Sequence, residues 1–419
     1  MGARAAPPGV SLPGYAVFAA MLSAAGLPIY IHAPAHYAAS YGVGLTALAG
    51  VLFALRLIDV VQDPLLGWLA ARMKARRGLA VGVGVIVLAG AMVGLFAVTP
   101  PVAPLLWFGL MMVGLFSAFS FLTICMYAEG VQAGPRLGPS GHLRLAGWRE
   151  TGALLGVCAA AVAPTVLVGT GAEYAWFAVG FAALCLLALI LMRNQWGRGA
   201  AEAPTGFRVI LADPVTRRLL LIALLNAAPV AVSSTLFLFY VGSVLDAPGW
   251  EGPLLVLFFL AAAGSTPVWS RLATRYGERP MLLAAMALAI ASFSVVLTLG
   301  PGETLIFALV CVVSGAALGA DFAILPALFS RRMEVVAPEA GAAFGLWAFV
   351  QKAALALAAA VLLPALDAAG FDAAAGAQNG EAALALLTKL YALVPCILKL
   401  GAMALLAVTP LPRPEPVAA

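Results

Sequence analysis

The chain is 419 residues long, 63% hydrophobic and only 10% charged, with a formal net charge of +5 at pH 7. Its mean hydropathy of +1.04 and a charged fraction far below the roughly 25% of soluble domains exclude a water-soluble globular protein. The composition points to an all-α membrane protein, since a span needs about 20 mostly apolar residues and such stretches recur along the whole chain.

Twelve spans are predicted in chain order, at about 14–36, 45–70, 79–98, 102–128, 147–168, 173–192, 219–243, 252–270, 280–299, 304–329, 341–365 and 382–408. The first has no small-residue cleavage site and leads straight into the second, so it reads as a retained helix rather than a signal peptide. His32 and His36 near its outer end sit among Tyr30, Tyr37 and Tyr41. That neighbourhood reads as an aromatic interfacial belt, with substrate contact or pH sensing as the other reading.

The second span, ALAGVLFALRLIDVVQDPLLGWLAA, holds Arg56, Asp59 and Asp63. Spacings of three and four place all three on one helix face. A charge at membrane depth costs several kcal/mol, on the order of 3, unless it is paired, hydrated or holding an ion. Two carboxylates one turn apart suit a shared cation or proton. A structural ion pair with Arg56 would account for only one of them.

Charge distribution sets the expected orientation. All but five of the 23 Lys and Arg fall at the termini or in every second connection: Arg4, then Arg72 to Arg77, Arg136 and Arg144, Arg193 to Arg218, Arg271 to Arg279, Arg331 and Arg332, and Arg413. The alternate connections carry Glu173, Asp246, Glu251, Glu303, Asp367, Asp372 and Glu381 instead. By the positive-inside rule both termini are cytoplasmic, which requires an even number of spans. The same spread disposes of the basic pI of about 9.1 as a sign of nucleic-acid binding, because no basic patch with interleaved aromatics forms. Cys125, Cys158, Cys185, Cys311 and Cys396 are isolated in apolar stretches and read as buried free thiols.

The most polar connection divides the chain into an N-terminal six-helix half (1–192), a cytoplasmic linker (193–218) and a C-terminal six-helix half (219–419). Within the linker, GFRVILADPVTRR predicts a short amphipathic helix. GWLAARMKARRG after the second span and VWSRLATRYGERP after the eighth echo each other, each with Trp ending a span and a basic turn with Gly following. Related halves around a midplane site are a common transporter plan. The arginines of these turns are expected to set topology or to gate the cytoplasmic side by pairing with acids of the opposite half.

RLIDVVQDPLLGWLAARMKARRG (Arg56 to Gly78) resembles the helix 2 signature of the glycoside–pentoside–hexuronide:cation symporters within the major facilitator superfamily. AGAAFGLWAFVQKAALALAAAVL (Ala340 to Leu362) is similar to that family's helix 11 with its intramembrane Lys, and LRLAGWRETGALLGV (Leu143 to Val157) to the Arg-bearing start of helix 5. The resemblance implies the major facilitator fold and cation-coupled symport of a sugar-like or other small organic solute across the bacterial inner membrane. It implies a coupling ion, Na⁺ or H⁺, held by Asp59 and Asp63 with Gln62 and Thr123, and no other cofactor. Lys352 would project toward the two acids and, with Arg56, couple the sites. Substrate would meet Arg149, Lys352, Trp347, Asn226 and Asp321. The helix 1 and helix 4 positions where sugar-recognising members carry acids fall at or near Ser23 and Thr123, so a different or more amphipathic solute is open. Helix 4 instead carries Glu129 near the cytoplasmic mouth. Asp321, well inside helix 10, reads either as a substrate or proton site or as the ion-pair partner of Arg149 or Lys352, while Lys389 and Lys399 are left to snorkel or pair. No rich shell of neutral oxygens is visible around the two acids, which leaves Na⁺ and H⁺ equally open. Expected partners are the solute and the lipid bilayer, with no nucleic acid, and a functional monomer. Competing readings are a proton-driven exporter, a lysolipid carrier and a non-transporting membrane sensor or assembly protein. No nucleophile–base set or metal cluster supports an enzyme.

Overall fold

The computed structural model describes residues 9–167, 169–197, 205–372 and 379–411, and within helices it leaves the side chains of 27–31, 35, 45, 56, 57, 60 and 165 undescribed. Arg4, Arg198, Arg413 and the side chains of Arg56 and Tyr30 therefore lie outside the described residues. The described chain is helical, and no strand occurs in it.

In order the helices are α1 (Leu12–Ala24), α2 (Leu27–Tyr41), α3 (Leu45–Arg72), α4 (Arg77–Phe96), α5 (Pro104–Ala133), α6 (Gly141–Val166), α7 (Glu173–Met192), α8 (Phe207–Ala212), α9 (Pro214–Phe239), α10 (Glu251–Tyr276), α11 (Glu278–Ser294), α12 (Thr304–Val336), α13 (Gly341–Ala368) and α14 (Glu381–Val408). Among the described residues, nine helices are long and apolar enough to cross a membrane by length and composition. The charge-bearing α3 and α6, and α1 with α2, supply the remaining predicted spans. The predicted linker helix appears as α8.

The first predicted span is corrected in one respect: it is two helices, broken at Ala25 and Gly26. Hydropathy runs through the break unchanged. The chain itself supplies the cause, since Pro28 has no N–H to donate to the Ala24 carbonyl. Caps fix other boundaries. Ser11 Oγ accepts from Gly14 N–H at 3.2 Å at the start of α1, and Asp213 accepts from Thr216 N–H at 2.8 Å at the start of α9. Gly277, at φ +96°, is the single residue joining α10 to α11, a left-handed link that favours glycine.

The chain forms two compact units. Among the described residues the first comprises those from 9 to 210 with Met333–Leu346, and the second those from 211 to 332 and from 347 to 411. In the first unit α1 packs on α6 and α7, α4 on α5 and α7, and α3 on α5; in the second, α14 packs on α9 and α11, and α10 on α11. Lipid tails are as apolar as Leu, so helices associate through close packing of small residues rather than through a hydrophobic gain. Gly152 and Gly156 of α6 lie against the backbone of Ala16 and Ala20 in α1 so closely that an added Cβ at either would overlap it. Gly315 and Gly319 of α12 meet Phe258 and Ala262 of α10 in the same way. In the first unit a Cβ at Gly67 would lie 2.7 Å from the Gly341 carbonyl oxygen and 2.8 Å from Gly345 Cα. His36 sits in an aromatic cluster with Tyr37, Tyr41, Phe96 and Tyr174, and all five cysteines are free and buried.

Candidate functional site

Among the described residues, buried polar groups include two clusters in the first unit and one around Asp321 in the second. On α3, Asp59 and Asp63 are 8% and 0% exposed. Asp59 Oδ1 accepts from Gln62 Nε2 at 2.9 Å and from Ser120 Oγ at 3.1 Å. Ser117 Oγ in turn donates to Gln62 Oε1 at 3.0 Å. The amide and both hydroxyls thus hold the carboxylate side of α3 against α5. Thr123, one turn beyond Ser120, keeps Oγ1 buried and without a hydrogen-bond partner. Ser120 thus brings one neutral oxygen to Asp59 and Ser117 one to Gln62, the ligand type that hard cations take. The signal in the sequence was the row Ser117, Ser120, Thr123, spaced by three along one side of α5.

Toward the ends of α4 and α5 the first unit holds a second polar group. Arg77 donates to Glu129 at 3.1 Å with both side chains buried, and its other nitrogen reaches the Glu339 carbonyl at 3.4 Å. Arg149 donates to its neighbour Glu150 at 2.8 Å and lies 3.7 Å over the Tyr127 ring, a cation–π contact. Tyr127 O–H donates to the same Glu150 oxygen at 2.9 Å. Arg149 is therefore a buried, stacked cation held by Glu150 rather than one paired with Asp321.

In the second unit Asp321 of α12 pairs with Lys399 of α14, whose ammonium also donates to Asn226 Oδ1 of α9 at 2.6 Å. The expected partners of Asp321, Arg149 or Lys352, are corrected by this pairing. Sequence reasoning left Lys399 unassigned, although it lies on the buried stripe Leu387, Tyr391, Pro395, Lys399 of α14 while Lys389 is exposed. That register was the readable signal. A cavity of about 60 Å³ opens beside the pair, and a second of about 80 Å³ shares part of its wall.

Ser23 lies just before the α1–α2 break, its carbonyl accepting from Gly26 N–H at 3.1 Å. Trp347 is buried against Phe329, with ring centroids 4.7 Å apart. Lys352 is half-buried on α13 and belongs to the second unit, whereas Asp59 and Asp63 belong to the first. Arg77 among the turn arginines pairs with Glu129, and Arg72 and Arg275 rest on Trp68 and Tyr276 at 5.1 and 5.3 Å. In the second unit Glu278, at the start of α11, pairs with Arg331 of α12. This repeats the Arg77–Glu129 link between α4 and α5 with the charges exchanged. Among the described residues no group of three His, Cys, Asp or Glu is placed to hold a metal.

Residues 12–413 match the family described as MFS/sugar transport protein. The chain belongs to that family. As a member of the major facilitator superfamily it has fold relatives among solved structures. A bacterial homologue of the iron transporter ferroportin is similar at TM-score 0.72 and 15% identity, covering 95% of this chain and 99% of that one. The fucose:proton symporter of E. coli is similar at TM-score 0.67 and 13% identity, covering 93% and 98%. The human organic anion transporter is similar at TM-score 0.61 and 16% identity, again covering 93% and 98%. At such identities the likeness is one of fold. No curated protein matches the chain by sequence.

Proposed function

We propose that this major facilitator transporter is a cation-coupled symporter of the glycoside–pentoside–hexuronide type, carrying a sugar-like or other small organic solute with Na⁺ or H⁺. The chain is a membrane transporter and not an enzyme; coupling, ion and solute are the proposal. The observation that carries it is Asp59, a carboxylate at membrane depth held by Ser120 and Gln62, with Asp63 fully buried one turn on. An intramembrane acid so arranged costs too much to persist without a role. Ion binding that raises solute affinity is matched by an equal effect of solute on ion affinity. A proton-driven exporter of the same fold is the second reading, favoured by the buried acid–base pair of Asp321 and Lys399.

Coupling is tested on purified protein by thermal unfolding in NaCl against choline chloride at equal ionic strength, and over a pH series. Wild type is expected to gain stability from Na⁺ or to shift with pH; Asp59→Asn and Asp63→Asn are each expected to lose that response while remaining folded. Equal responses in wild type and both variants would sink the coupling role. Uptake against efflux in vesicles under an imposed proton gradient, using solutes that stabilise the protein, separates symport from export.

A further inference from the structure

The larger of the two cavities in the second unit is lined by residues of α9, α10, α11, α12 and α14. Seven of its fifteen lining residues are aromatic, whereas aromatic residues make up 9% of the chain. Phe258, Phe293 and Phe322 are half-buried in its wall, and Phe307 and Tyr391 are buried there. These rings brace one another. The Tyr391 centroid lies 5.5 Å from that of Phe293 and 6.2 Å from that of Phe307, and Tyr391 stacks on Tyr240 at 4.4 Å. Rings held this way offer faces and edges with which a further ring can pair.

Among the described residues that line this cavity, none is charged. Asp321 and Lys399 line only the smaller cavity, and they are paired with each other. An ion entering the larger one would shed its water against a wall with no counter-charge, a cost that nothing there offsets. The polar groups the wall does hold include hydroxyls. Ser233 donates its proton to the Pro229 carbonyl at 2.9 Å, and Ser314 donates to the Val310 carbonyl at 2.6 Å. Each therefore keeps lone pairs with which to accept a ligand's proton. At about 80 Å³, beside a cavity of about 60 Å³ that shares Phe258, Phe293 and Ser314 with it, the space is of the order that holds a single benzene ring, about 150 Å³.

We infer that the larger cavity binds an uncharged aromatic alcohol, its ring among Phe258, Phe293 and Phe307 and its hydroxyl donating to a serine of the wall. The inference narrows the solute of the transporter proposed above to one chemical class and rests on that reading for its transport. Binding itself is measured apart from ion coupling at Asp59.

The probe is benzyl alcohol, titrated calorimetrically into purified protein against a blank of the same detergent micelles, beside benzylammonium, benzoate and cyclohexylmethanol. Benzyl alcohol is expected to bind saturably, and both ions about tenfold or more weakly, because each brings a charge to an uncharged wall. Cyclohexylmethanol buries at least as much apolar surface but has no ring to pair, and is expected to bind about threefold or more weakly. Val230→Trp places a ring in the cavity wall and is expected to abolish saturable binding. Phe293→Leu keeps the wall apolar and is expected to weaken benzyl alcohol about threefold while leaving cyclohexylmethanol unchanged. Asp59→Asn is expected to bind benzyl alcohol as wild type does, so loss of coupling and loss of this site are told apart. No saturable binding of benzyl alcohol, equal or tighter binding of either ion or of cyclohexylmethanol, or wild-type affinity in either cavity variant that folds would each overturn the assignment.

Discussion

A charged side chain inside a bilayer is tolerated when an opposite charge is close, and several buried charges among the described residues have one. Arg77 meets Glu129, Arg149 meets Glu150 beneath Tyr127, and Lys399 meets Asp321. The charges were plain in the sequence, but their pairings were not. Asp321 and Lys399 are 78 residues apart, and hydropathy carries no information on which helices touch. Only the face on which a residue lies is readable, and the sequence reading left Lys389 and Lys399 undistinguished although they lie on different faces of α14. The Arg332–Asp213 bridge gives a pH prediction outside the spans. Hydrogen bonds from Arg332, and from Thr216, hold the Asp213 carboxyl down from its ordinary 3.8 to about 2. Its stabilising contribution is therefore complete above about 4 and is lost as pH falls toward 2. In detergent, the unfolding temperature of Asp213→Asn is expected to lie below wild type at pH 6 and to approach it as pH falls from about 4 to about 2. A constant difference across that range would show that capping geometry, not ionisation, is what Asp213 contributes.

At the scale of helices, glycine spacing sets the close approaches. Gly152 and Gly156 bring α6 onto α1, and Gly315 and Gly319 bring α12 onto α10. Such pairs are visible in the sequence as small residues four apart, but with 43 glycines in the chain the pattern does not say which pairs meet a neighbour. The helices themselves were legible because an apolar run of about 20 residues has few alternatives in lipid. The break at Ala25 and Gly26 was not, because both flanks are equally apolar. Overpacking decides the effect of substitution at the crossings. Gly152→Leu would force a side chain into the Ala16 backbone, which cannot yield as a rotamer does, and is expected to cost more than the about 1–3 kcal/mol typical of core overpacking. The check is folded yield and monodispersity after extraction, where Gly152→Leu should be near background. Gly82→Leu is the control: no atom lies within 4 Å of a Cβ there, so its yield should match wild type.

At the scale of the molecule, parity of crossings links the helices to the charges. α1 has 13 residues and α2 has 15, or roughly 20 Å each at 1.5 Å per residue, too short for a hydrocarbon core of about 30 Å. They therefore count as one crossing, twelve in all with α3–α7 and α9–α14. An even count would put both termini on one side, and the basic connections α3–α4, α5–α6, α7–α9, α10–α11 and α12–α13 would then share that side. Charge alone says which side it is, through the positive-inside bias. A fluorescent reporter that matures only in the cytoplasm is expected to shine when fused after Ala419 and to stay dark when fused after Gly302, with a secreted phosphatase reporter giving the reverse at both points. Fluorescence at Gly302 alone would mean that α1 and α2 are not a single crossing or that the basic connections face outward, and would place the start of α4, with its Arg77–Glu129 pair, on the side away from the cytoplasm. Fluorescence at both positions would mean that α12, α13 and α14, which lie between the two fusion points, do not make three crossings.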